Sequence, residues 1–160
     1  MDRAQKAELV AELKSTFEGT SVVIVTRNLG LTVAQSTALR LKMRDAGASY
    51  KVSKNKLARI AVEGTTYTAI NDLLVGPTAL STSADPVAPA KVIVEFAKTN
   101  DKLEIVGGAM GDVVLDVAGV KALAELPSLD ELRAKIVGLI QAPAGQLARV
   151  FAAYADKDAA

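Results

Sequence analysis

Apolar residues recur every three or four positions between residues 2 and 17, with Leu9, Val10, Leu13 and Phe17 on one side and Arg3, Lys6 and Lys14 on the other. That period predicts an amphipathic helix, and Gly19 is placed to stop it. Ser21 to Thr26, a β-branched run, reads as a central strand. After the loop Arg27-Asn28-Leu29-Gly30, Thr32 and Gln35 form a capping box that opens a helix through Ala46, ended by Gly47. The pattern then switches to alternation, with Ser49, Lys51 and Ser53 on one face and Tyr50 and Val52 on the other. A short helix follows, with Ser53 or Asn55 as its N-cap and Leu57, Ile60 and Ala61 turned inward.

Further along, Thr65–Asp72 reads as a helical turn and Thr78–Thr82 as a strand after the Gly76-Pro77 break. Asp85-Pro86 has the form of an N-cap with proline at the first helical position, which predicts a helix to about Lys98. Lys102–Met110 is a strand, turned by Gly111-Asp112 into a hairpin with Val113–Leu115, and Val117–Leu126 is a short helix ended by Pro127. These elements predict an α/β fold: a mixed, partly antiparallel sheet of four to five strands packed with helices in a sandwich-like or plait-like arrangement. Ser128 and Glu131 form a second capping box, and a long helix starts there. Its apolar residues are Leu129, Leu132, Ile136, Leu139 and Ile140, then Leu147, Val150, Phe151 and Tyr154. Between the two groups lies Ala142-Pro143-Ala144-Gly145, where the proline is expected to kink the helix. Such a helix, after a complete sheet, either folds back on the core or projects to bind a partner.

Composition narrows the chemistry. Of 160 residues, 50% are hydrophobic, enough for one core with an appendage. The absence of cysteine and histidine removes disulfides, thiolate and imidazole metal ligands and the usual general base. The apolar runs are short for a bilayer span, and the charged start, Met-Asp-Arg-Ala-Gln-Lys, does not look like a signal peptide. No P-loop is present, and Gly107-Gly108-Ala109-Met110-Gly111 lacks the spacing of a dinucleotide fingerprint. Asp112 and Asp116 read as solvated loop carboxylates. No catalytic residue, metal ligand or cofactor site is expected, and the chain reads as a non-enzyme.

Charge divides the chain. Residues 1–64 hold an excess of five cations, and the remainder an excess of four anions. Within the basic half, Lys51, Lys54, Lys56 and Arg59 gather at one strand–helix junction, where an anion would find both cations and the free amides of a helix start. Arg3, Lys6 and Arg27 flank that junction, with Asn55 inside it; Arg40 and Arg44, four apart on the second helix, form a second choice. Aromatic residues are only 4% of the chain, so contacts to phosphate and sugar of a folded nucleic acid fit better than base stacking. From the residues alone, a DNA-binding or regulatory domain that dimerises through its terminal helix is the competing reading.

The block from Lys51 to Ala61 with Glu63-Gly64-Thr65 resembles the basic block of bacterial large-subunit ribosomal protein ten, the family at the base of the ribosomal stalk. Gly30-Leu31-Thr32-Val33, Val75-Gly76-Pro77-Thr78 and Leu123-Ala124-Glu125-Leu126-Pro127-Ser128 agree with the family in the same order, so the resemblance spans the chain. It implies a globular rRNA-binding domain over 1–127 and a helix over 128–160 that projects and carries dimers of an acidic stalk protein. The expected contacts to large-subunit rRNA are Arg3, Lys6, Arg27, Lys51, Lys54, Asn55, Lys56 and Arg59. The expected dimer-binding residues are Leu132, Ile136, Leu139 and Ile140 in one segment, and Leu147, Val150, Phe151 and Tyr154 in the other. Two segments imply two dimers; longer family members with an extra segment hold three. The resemblance further implies a cytoplasmic, ribosome-bound protein beside ribosomal protein eleven, which reaches translational GTPases indirectly, contacts no membrane and can repress its own mRNA. One departure stands out: the family often has arginine just before the glycine of the first loop, where this chain has Leu29. Arg27 is the residue expected to replace it.

Overall fold

A computed structural model describes residues 2–158 of the chain, apart from the side chains of Leu129 and Asp158. The β-branched run after Gly19 becomes β1 (Val22–Asn28), hydrogen-bonded on both sides, to β3 (Thr78–Ser83) and β4 (Leu103–Met110). β2 (Ser49–Lys51) pairs with the far side of β3, and β5 (Val113–Leu115) with the far side of β4, giving the order β2-β3-β1-β4-β5. Alternate residues of β1 serve two cores. Val23 and Val25 face α1 (Arg3–Glu18), α3 (Asn55–Val62) and the 3-10 turn Thr68–Leu73; Val22 and Ile24 face α2 (Val33–Asp45), α4 (Ala88–Thr99) and α5 (Val117–Glu125). A strand covered on both faces reads as an unbroken apolar run, and so it does here.

Among the described residues, every strand pairing is antiparallel, which narrows the expectation of mixed directions. The connections explain why. The α2 crossover joins β1 to β2 and the α4 crossover joins β3 to β4, but each skips one strand, so another strand fills the gap in the opposite sense. This is the split β-α-β plait, with both crossover helices on one face. Two glycines let β4 approach β1. Val25 lies opposite Gly107 and Thr26 opposite Ile105, so Val106 is an extra residue in β4, and a Cβ on Gly108 would meet the Val23 carbonyl oxygen at 2.6 Å. The glycine run that fails as a dinucleotide motif is therefore a β-bulge.

Several local expectations shift. α3 has Lys54 at its N-cap rather than Ser53 or Asn55, and it buries Ala58, Ala61 and Val62 while Ile60 is exposed. Val52 is exposed as well. α4 starts at Ala88, two residues later than Asp85-Pro86 predicts, because the Asp85 carboxylate caps the Val87 amide (3.0 Å) in a turn ahead of the helix. By contrast, both capping boxes form as read, Thr32 with Gln35 and Ser128 with Glu131.

The chain divides into two compact units, Met1–Leu126 and Pro127–Ala160. The second is α6 (Leu129–Asp158), continuous across Pro143, whose missing N–H leaves the Leu139 carbonyl without its intrahelical donor. By length and composition, Asp130–Lys157 is apolar enough to cross a membrane, contrary to the reading from short apolar runs. Alanine and glycine raise the apolar character of the whole stretch without forming a run. Leu132, Ile136, Leu139, Ile140, Leu147, Val150, Phe151 and Tyr154 are 39–78% exposed; the Leu129 side chain lies outside the described residues.

Candidate functional site

β2 places Tyr50 and Lys51 on opposite faces. Tyr50 packs toward the α2 side, where its hydroxyl donates to Asn28 Oδ1 (2.9 Å). Lys51 points to α1, and its Nζ lies 2.7 Å from Glu12 Oε1. The chain then turns into α3 across a small groove lined by Leu9 and Leu13 of α1 together with Lys51, Val52, Ser53, Lys54 and Leu57. Because Lys54 carries no acceptor, no side chain caps the first amides of α3. Lys54 and Lys56 are exposed there, as are Arg3 and Lys6 on α1, and among the described residues none of these four forms an ion pair. Positive side chains at an uncapped helix start suit an anion.

The other expected contacts are already engaged. The Asn55 amide nitrogen donates to the carbonyls of Leu74 (3.3 Å) and Gly76 (2.8 Å), and its oxygen accepts from the Thr78 hydroxyl (2.6 Å). Arg59 Nη2 donates to the same Leu74 carbonyl (2.9 Å). Arg27 Nε donates to the Val75 carbonyl (3.3 Å), while its Nη1 pairs with Glu104 (3.0 Å). Three polar side chains thus converge on three successive carbonyls of the loop before β3, and Gly76 turns that loop at a φ of 84°. Leu29 and Val75 are exposed beside it. Arg27, two residues before Leu29, therefore holds the loop through its Nε and pairs with Glu104 through its Nη1. On the opposite layer, Arg40 and Arg44 are exposed on α2, while Lys42 between them reaches Glu95 (3.5 Å).

Sequence reading missed the loop carbonyls and the partners Glu12 and Glu104, since contacts across that much chain leave no local pattern. One missed signal was legible. Ile136, Leu139 and Ile140 recur eleven positions later as Leu147, Val150 and Phe151, and Leu132, Pro143 and Tyr154 share the same spacing. Eleven residues make about three helical turns with roughly 20° left over, so both triads occupy one face. Between Leu132 and Ala155 the charged residues of α6 are Arg133, Lys135 and Arg149, all cations. Among the described residues no group of three acidic side chains could hold a metal.

The family profile described as "Ribosomal protein L10" matches residues 1–98, and the one described as "Ribosomal protein uL10 C-terminal region" matches residues 126–160. The large ribosomal subunit protein uL10 of Rhizorhabdus wittichii is 86% identical, over 99% of this chain and 99% of its own. Its counterparts in Zymomonas mobilis and Sphingopyxis alaskensis are 71% and 65% identical, with 100% of both chains covered. The latter two alignments span 171 positions, eleven more than the 160 residues of this chain. A basic strand–helix junction, an exposed apolar helix and these full-length matches agree: the chain belongs to the ribosomal protein L10 (uL10) family, structural constituents of the large ribosomal subunit.

Proposed function

We propose that the globular unit binds large-subunit rRNA in the GTPase-associated region, beside ribosomal protein eleven, through the β2–α3 junction. Lys54 and Lys56 contact phosphate directly, with Arg3 and Lys6 flanking and Lys51 available once it leaves Glu12. Asn55, Arg59 and Arg27 act behind them by fixing the Leu74–Thr78 loop against the junction. In the same reading α6 anchors two dimers of the acidic stalk protein, one on Leu132, Ile136, Leu139 and Ile140 and one on Leu147, Val150, Phe151 and Tyr154, and these recruit the translational GTPases. The observation that carries the RNA assignment is the set of cations without ion-pair partners at an uncapped helix start. The apolar face of α6 carries the partner assignment, because a protein partner laid along it removes that surface from water. It also accounts for the apolar character of the helix without a bilayer, and the cytoplasmic ribosome is where such a protein works.

The test is filter binding to the target rRNA fragment across a salt series. Replacing Lys54 and Lys56 together by alanine should weaken binding and flatten the dependence of affinity on salt, by up to about two units of slope for two lost phosphate contacts. Unchanged affinity and slope would remove the junction from the interface.

A further inference from the structure

We infer that the RNA-binding surface turns round the β2 edge of the sheet onto α2, where Arg40 and Arg44 hold a second stretch of rRNA backbone. This extends the reading of the β2–α3 junction given above and rests on it.

α2 has two flanks, and its own contacts tell them apart. Leu39 and Met43 are buried against the sheet. On one flank Gln35 Nε2 donates to Asn100 Oδ1 (2.8 Å) and Lys42 Nζ lies 3.5 Å from Glu95 Oε1, so that flank faces α4 and its C-cap. At about 100° per residue, Val33, Thr37, Arg40 and Arg44 fall within about 60° of one another on the other flank. All four are exposed. In this layer α2 packs over β2, α4 over β3 and β4, and α5 over β4 and β5. The stripe therefore looks outward past β2, which among the described residues pairs only with β3.

The same edge carries the junction on the other layer. β2 ends at Lys51, and Lys54 and Lys56 stand exposed where α3 begins. Cations thus border β2 from both faces of the sheet. Among the described residues Arg40, Arg44, Lys54 and Lys56 form no ion pair, and Glu95 is held by Lys42 on the far flank of α2. Two arginines one turn apart, about 6 Å along the axis, suit a sugar–phosphate strand, because each guanidinium can grip a phosphate through two parallel N–H donors. The stripe has no aromatic ring and only Val33 as a large apolar residue, so it offers a protein partner no anchor to bury. An edge strand can also carry cations simply to keep other strands away, and the two roles separate in experiment.

The chain has no cysteine, so a single one can be introduced and labelled. An iron chelate on Thr37→Cys, with both arginines intact, should cut the bound rRNA fragment by hydroxyl radicals, and one on Val52→Cys at the junction should cut a second, separate stretch. Cuts from Thr37→Cys no stronger than those from Ala122→Cys on α5 overturn the inference. In filter binding, replacing Arg40 and Arg44 together by alanine should weaken binding several-fold and flatten the salt slope by up to about two units, in addition to the loss from Lys54 and Lys56. An unchanged slope, with light scattering that now reports edge-to-edge association, makes the arginines edge guards and leaves the junction reading standing. If replacing Lys54 and Lys56 leaves the slope unchanged as well, both readings fall.

Discussion

Asn55 shows how far a single residue departs from what its neighbours suggest. It sits in the most basic stretch of the chain, yet its amide is spent on the Leu74 and Gly76 carbonyls and the Thr78 hydroxyl. Asn55→Ala should lower stability by about 1–2 kcal/mol, the range for partly exposed hydrogen bonds lost from one side, and it should be seen as an earlier midpoint in urea. RNA affinity should fall through the displaced loop, while the salt slope stays that of the unaltered protein because asparagine carries no charge to neutralise a phosphate. Unchanged RNA affinity would mean that the position of the loop does not bear on binding. Sequence showed where cations cluster, since charge is carried by residue type. It did not show which of them are free: Arg27 finds Glu104 and Lys51 finds Glu12 through the fold, not through spacing.

Elements were legible where their signals are local and strong. Both capping boxes and the hairpin at Gly111-Asp112 needed only a few residues to be read. α3 was harder because it has only eight residues, with apolar side chains on more than one side; packing against α1 and the 3-10 turn chose Ala58, Ala61 and Val62 over Ile60. Strand direction was not legible, because a helical crossover looks the same whether it joins adjacent strands or skips one. The bulge in β4 gives the sharpest test at this scale. Gly108→Ala puts a methyl group against the Val23 carbonyl and the Ile24 Cα, both backbone atoms that cannot turn aside. A loss of about 3 kcal/mol is expected, the upper end of the cost of overfilling a packed site, and it would be read as a fall in the melting temperature of the globular unit. A melting temperature within a degree of the original would mean that β4 has slack at the bulge.

For the molecule as a whole, the described residues of both buried clusters all belong to the globular unit, the last of them Leu123 and Ala124. Deleting residues 142–160 should leave its melting transition and its rRNA affinity in place and reduce the bound stalk protein by one dimer in native mass spectrometry. Unfolding, or loss of RNA binding, would make α6 part of the domain. The strand order has a further consequence, for the time at which the protein can fold as it is made. β1 is complete at Asn28, but its two neighbours are β3 and β4, and the second of these ends at Met110. At usual elongation speeds those roughly 80 residues take on the order of 4–16 s to synthesise. For that time the most apolar strand of the chain waits with at least one edge open, so the nascent chain is a candidate for chaperone binding until β4 arrives.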